Sequence, residues 1–124
     1  MTSLTTNTNI PKRGEIWLVN FDPTVGSEIK KVRPAVVISS NAVGKLPIKL
    51  IAPITDWKPS FSENIWHVKI EPDEINCLIK ASAIDVLQLR GVDLQRFARK
   101  LGDVSDNTMS EITIAIAIII ETDI

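Results

Sequence analysis

Between Glu15 and Leu89 the apolar residues come in short runs, each closed by proline, glycine or a polar turn-forming pair. Punctuation this dense suits strands of about five or six residues and leaves little room for helices of about eleven. Glu15–Phe21 (EIWLVNF) is β-branched and aromatic and stops at Asp22-Pro23, as a strand entering a turn does. Arg33–Ser40 (RPAVVISS) reads as a buried strand that tolerates Pro34 near its start, and Ile48–Ile54 (IKLIAPI) as another whose Pro53 implies an edge or a bulge. Ile65–Ile70 alternates, with Trp66, Val68 and Ile70 on one face and Ile65, His67 and Lys69 on the other. Two further strand-like runs, Cys77–Ile79 and Ala83–Leu89, bring the number to about six and predict a small barrel or sandwich.

The period changes near the C-terminus. In Val92–Gly102 the residues Leu94, Phe97 and Leu101 fall at i, i+3 and i+7, with Asp93 as N-cap and Gly102 at the far end, which predicts a short amphipathic helix. The isoleucines of Asn107–Glu121 fit either period. Ser105-Asp106-Asn107 decides for a helix, because it sets capping side chains and a negative charge where a helix leaves its N–H groups free. A helix so nearly apolar all round must be covered on more than one side, and self-association is the natural remedy. The 124 residues, 44% hydrophobic, are expected to fold as one domain, 12–124, after a polar tail, 1–11, whose Thr2–Asn9 part has no hydrophobic period. A single cysteine, Cys77, cannot form an internal disulfide. With no signal-like N-terminus and no apolar span of membrane length, the expected location is the cytoplasm.

Charge is unevenly spread. Residues 1–62 hold 8 Lys/Arg against 4 Asp/Glu, and residues 63–124 hold 6 against 11. One face attractive to an anion such as nucleic acid follows as readily as scattered solvated charge. One His and one Cys cannot build an all-His/Cys zinc site, and the P-loop, GxGxxG and GxSxG signatures are missing, so no metal or cofactor is expected. His67, between Trp66 and Val68, is either a satisfied structural histidine or a catalytic one. The unusual stretch is Asp22–Pro34 (DPTVGSEIKKVRP), which joins a glycine, a hydroxyl, a carboxylate and three cations to the start of a strand. As a phosphate cradle, Gly26 would let the backbone approach, Lys30 and Lys31 would attract without regard to sequence, and Arg33 would offer a bidentate fork. As a solvated loop, the same charges would serve solubility. Trp57 and Phe61, in the turn-rich Asp56–Glu63 loop, either stack on bases or bury themselves beneath it.

These residues, Arg13-Gly14-Glu15-Ile16-Trp17, Asp22–Glu28 and Arg33–Ile38, together with Ala52–Thr55, Gln88–Asp93 and Lys100–Met109, resemble in order and spacing the PemK/MazF-like toxins of bacterial toxin–antitoxin modules. The resemblance runs from about Lys12 to Glu121. It implies an SH3-like small β-barrel with a C-terminal helix. It also implies a homodimeric, metal-independent endoribonuclease that cuts single-stranded mRNA to a 2′,3′-cyclic phosphate and a 5′-hydroxyl. A MazE-like antitoxin would hold it inactive. The family's catalytic arginine falls on Arg33 and its catalytic hydroxyl on Thr55; Gly26, Ser27, Glu28, Lys30 and Lys31 are expected to bind RNA, and Gln88 and Arg90, which fit the family's pattern, to contact RNA or the second subunit. Ser27 and Glu28 would hold the RNA backbone or the Arg33 guanidinium or, read as isolated residues, bond within their own loop. Where some relatives have an acid–base aspartate this chain has Leu87. Asp85 lies two residues earlier, on the same face if the strand continues, and about 7 Å displaced. On that strand Gln88 and Arg90 would face away from Leu87. The rival readings are a barrel that binds nucleic acid or protein without cleaving, and a topoisomerase inhibitor on a related fold.

Overall fold

The computed structural model describes residues 10–43 and 46–123; the tail expected over Thr2–Asn9 lies outside them. Among the described residues seven strands and one α-helix follow in order: β1 Glu15–Asn20, β2 Val32–Val37, β3 Ile48–Asp56, β4 His67–Ile70, β5 Ser82–Asp85, β6 Arg90–Asp93, β7 Phe97–Asp103 and α1 Asp106–Ile119. They form one antiparallel sheet in the order β4-β5-β3-β2-β1-β7, with β6 paired to β3. The sheet is of the expected mainly β, barrel-like kind, but its β4 and β7 ends are not hydrogen-bonded to each other. Strand β3 organises it. One edge carries β2, and the other gives Ile48–Ile51 to β6 and Ile54–Asp56 to β5. Pro53, which has no N–H to donate, sits in the interval between those last two partners.

Both faces of the central strands are buried, which is why their sequences read as nearly continuous apolar runs. Ile16, Val36, Ile38, Ala52 and Ile54 point to one core, which Met109, Ile112 and Ala115 of α1 cover. The alternate residues Trp17, Val19, Ala35, Val37 and Ile51 point to a second core with Phe21 and Val92. The helix starts as its sequence dictates: Ser105 Oγ accepts the Thr108 N–H at 3.1 Å, and Asp106 lies in the first turn.

Three expected elements differ. Val92–Gly102 is not a helix. The Asp93 carboxylate accepts the Gln95 N–H at 2.8 Å and caps a single 3₁₀ turn, Leu94–Arg96, after which the chain extends as β7. Irregularities in the β1–β7 register, between Ile16 and Trp17 and between Leu18 and Val19, add residues to β7. Phe97 therefore packs on the second core and Leu101 on the first, and their spacing imitates a helical one. Cys77–Ile79 is a turn wound on the fully buried Asn76. That side chain donates to the Glu71 carbonyl at 2.9 Å and accepts the Asp73 and Leu78 N–H groups. Finally, the strand expected over Ala83–Leu89 ends at Asp85, where Oδ1 takes the Leu87 N–H at 3.0 Å and starts a 3₁₀ turn, Val86–Gln88.

Candidate active site

The register places the two residues of greatest interest opposite each other. Ala35 pairs with Pro53, Val36 with Ala52 and Val37 with Ile51, so the next same-face position on each strand sets Arg33 of β2 across from Thr55 of β3. On their outer sides Arg33 pairs with Val19 and Thr55 with Ala83. Arg33 and Thr55 line one cleft of about 120 Å³ with Ile54, Asp56, Leu78 and Lys80. Asp56 and Lys80 close its rim as an ion pair at 3.0 Å.

The free valences in this cleft are informative. Arg33 uses Nε–H to bond the Lys30 carbonyl at 3.2 Å, and its other guanidinium N–H groups have no partner among the described residues. Thr55 is half-buried, and its hydroxyl likewise has no partner among the described residues. A strand-end threonine that merely capped the backbone would have used that hydroxyl. A fork of N–H donors beside a free hydroxyl suits a tetrahedral oxyanion.

The loop before Arg33 presents Ser27, Lys30 and Lys31 to solvent, all exposed and with no side-chain partner among the described residues. Gly26 has φ +58 with open space where a Cβ would stand, so the backbone conformation, not crowding, calls for glycine there. Lys31 also has φ 70, held by its N–H on Asp22 Oδ1 at 3.0 Å and its carbonyl on the Phe21 N–H at 2.9 Å. Glu28 closes its own loop, accepting the Val25 N–H at 2.6 Å; the contact on Arg33 is the Lys30 carbonyl instead.

Gln88 and Arg90 do not face away from Leu87. All three line a neighbouring cavity of about 260 Å³ with Phe21, Glu28, Ile29 and Pro53, because the 3₁₀ turn breaks the strand period. For the same reason Asp85 does not share a face with Leu87. Arg90 is half-buried, donating to the Phe21 carbonyl at 3.0 Å with its guanidinium 5.9 Å from the Phe21 ring centre. Gln88 takes the Ile29 N–H at 2.8 Å and gives its amide to Asp85.

His67 is packed rather than presented. Phe61 stacks on its ring at 3.8 Å, Nε2 lies 3.5 Å from Asp85 Oδ2, and Nδ1 is 3.1 Å from the Asn64 amide. Both ring nitrogens thus face partners within the protein, and neither is turned toward the Arg33 cleft. Trp57 meets Phe61 edge-on at 5.8 Å and lies beneath the Lys69 ammonium, so both loop aromatics pack against the β4 side of their own loop. Sequence reasoning passed over Asp56 and Lys80, and it named Asp85 and Gln88 without foreseeing that they bond each other. For the pair, an aspartate ending a strand three residues before a glutamine was the available signal. Among the described residues no group of three or more His, Cys, Asp or Glu side chains could hold a metal ion, and no helix is long and apolar enough to cross a membrane.

Comparison with known proteins gives a consistent picture. Residues 12–120 match the family model of the PemK-like, MazF-like toxin of type II toxin–antitoxin systems. The chain is 34% identical over 108 residues to the endoribonuclease MazF of Staphylococcus saprophyticus, covering 86% of this chain and 88% of that protein. Its fold is similar to the crystal structure of MazF from Deinococcus radiodurans, with a TM-score of 0.73 at 20% identity over 91% of this chain and 98% of that one. It is also similar to a mycobacterial endoribonuclease in complex with its cognate antitoxin, with a TM-score of 0.69 at 16% identity over 92% of this chain and 96% of that one.

Proposed function

The chain belongs to the PemK-like, MazF-like toxin family of type II toxin–antitoxin systems, and from that premise we propose that it is a sequence-specific, metal-independent endoribonuclease acting on single-stranded mRNA in the cytoplasm. The observation that carries this reading is the cross-strand pair of Arg33 and Thr55, each with free hydrogen-bonding capacity in one cleft.

The chemistry those groups support is internal transfer. The ribose 2′-oxygen gives its proton to solvent water and attacks the adjacent phosphorus; the P–O5′ bond breaks as the 2′–O–P bond forms, and the departing 5′-oxygen takes a proton from solvent, leaving a 2′,3′-cyclic phosphate and a 5′-hydroxyl. The phosphorane gains charge on its non-bridging oxygens, and the unpaired N–H groups of Arg33 are placed to neutralise it. Thr55 supplies a hydroxyl that orients the 2′-oxygen or a phosphate oxygen. Lys30, Lys31, Ser27 and the Gly26 backbone hold flanking phosphates by sequence-blind attraction.

A cognate MazE-like antitoxin whose acidic segment replaces the RNA would silence such a site, and the enzyme acts as a homodimer. The test is incubation with labelled single-stranded RNA and sequencing of the product ends. Discrete fragments with cyclic 3′ ends and free 5′-hydroxyls are expected, unchanged by EDTA. A shifted but intact RNA band would make the protein a binder, and activity lost to EDTA and restored by magnesium would make it a metal nuclease.

A further inference from the structure

A chain of hydrogen bonds runs from a buried carboxylate to the Arg33 guanidinium. Asp85 is 6% exposed, and its Oδ2 accepts the Gln88 amide at 3.3 Å beside His67 Nε2. An ionised carboxylate only accepts, so it fixes which end of the Gln88 amide faces it. The NH₂ turns to Asp85, and Oε1 is left to take the Ile29 N–H at 2.8 Å. One residue on, the Lys30 carbonyl accepts Arg33 Nε–H at 3.2 Å. On the downstream side Lys31 is fixed through both its N–H and its carbonyl to the end of β1. The Lys30 carbonyl is thus bracketed by two anchors, and Gln88 is the upstream one.

We propose that Gln88 is a positioning residue for Arg33, oriented by the buried Asp85 carboxylate, rather than a residue that grips RNA. This inference rests on the nuclease reading of the cleft, in which the placement of the guanidinium sets the rate. Without Gln88 the Ile29 N–H loses its partner, the Lys30 carbonyl is held from the Lys31 side alone, and Arg33 is held less closely toward the phosphorane. Misplacement of this kind falls on the chemical step and not on ground-state binding.

The test has an arm that does not depend on activity. In Gln88→Leu, backbone amide exchange at Ile29 is expected to accelerate about tenfold or more, while exchange in β1 and β2 stays as in the wild type. On an RNA substrate, kcat is expected to fall about tenfold with KM within about threefold. In an Arg33→Lys background, which keeps a charge but not the Nε–H contact, the same substitution is expected to cost less than about twofold, since a positioning residue acts only through the group it positions. Should Gln88→Leu fail to fold, Gln88→Met, which is close in size and offers the Ile29 N–H only a weak thioether acceptor, is read in the same way. Unchanged Ile29 exchange, a loss confined to KM, or a full loss in the Arg33→Lys background would overturn the proposal. A wild-type protein that cuts no RNA would sink the nuclease reading instead, and Ile29 exchange would still decide whether the tether exists.

Discussion

In the proposed mechanism Arg33 and Thr55 take their roles from the hydrogen-bonding capacity their neighbours leave unused. Both lie at strand ends where most side chains would satisfy backbone groups, yet each keeps hydrogen-bonding capacity in the cleft. Arg33→Ala should therefore lower kcat/KM for RNA by about a hundredfold to a thousandfold, as loss of an oxyanion donor does. Because Arg33 is partly exposed and unpaired with any acid, thermal denaturation should stay within about 0.5 kcal/mol of wild type. Full cleavage by the purified variant would refute the assignment. Glu15 is the contrasting case, a residue whose charge serves the fold. Burial pushes its carboxyl up, but bonds from Trp17 Nε1 at 2.9 Å, the Lys12 N–H and the Lys100 ammonium outweigh burial and hold it below the ordinary value of 4.5. Burial pulls Lys100 down, and Glu15 and Asp103 together raise it above its ordinary 10.5. A depressed carboxyl adds stability above its ordinary value and loses it as pH falls through the folded one; a raised ammonium adds stability below its ordinary value and loses it as pH rises through the folded one. The contact therefore supports the fold throughout the interval between them. Glu15→Gln should lower the melting temperature near neutral pH, and the deficit should shrink as both proteins are acidified below 4.5. A deficit independent of pH would mean that packing, not charge, is what the carboxylate contributes.

Strand β7 depends on a close approach that only glycine permits. A Cβ on Gly102 would stand 2.5 Å from the Ile75 carbonyl oxygen and 2.7 Å from that of Asn76, both backbone atoms of the turn wound on Asn76. The Asp103 N–H also bonds the Ile75 carbonyl at 2.8 Å, so the turn cannot move away without breaking the ladder's edge. Gly102→Ala should destabilise the protein by about 2–4 kcal/mol in denaturant unfolding, whereas Gly26→Ala, with open space around it, should cost only about 1 kcal/mol through its positive φ. Equal costs at the two sites would contradict this account. Gly102 also marks where elements were legible in the sequence and where they were not. Strands β1 to β3 could be read because residues of alternate parity fill two cores, giving β-branched runs that no helix would need. Strand β7 misled because its irregular pairing with β1 replaced period two by spacings of three and four, and no local residue announces a bulge. The turn at Val86–Gln88 was hidden for a related reason: the Asp85 carboxylate that starts it reads equally well as one more strand residue.

For the molecule as a whole, the charge split has a structural origin on its acidic side. Asp73, Asp85, Asp93 and Asp103, all in the acidic half, are engaged by backbone N–H groups, an amide or Lys100, and Asp106 sits at the helix start. Lys30, Lys31 and Arg33 of the basic half have no acidic partner among the described residues. Pattern alone gave strands β1 to β4, the start of β5 and the terminal helix, while the partnering of β3 with three strands was out of reach, because each pairing depends on residues far away in sequence. The nearly apolar helix raised a problem that a single sheet only half solves. Met109, Ile112 and Ala115 meet the core, but Ile114 and Ile118, one turn apart, remain 49% and 50% exposed beside Ile65 at 54%. These side chains and Val68 line an open groove of about 300 Å³, rimmed by Lys69 and Glu111. Such an apolar stripe is self-complementary under a two-fold axis that sets Ile114 and Ile118 of one protomer on the same residues of the other. Sedimentation equilibrium should accordingly give twice the chain mass, and Ile114→Lys combined with Ile118→Lys should give a single chain with its helical circular dichroism intact, because neither side chain belongs to the buried core. A wild-type monomer would remove the need for a covering partner, and a double variant that still sediments at twice the chain mass would place the interface on another face.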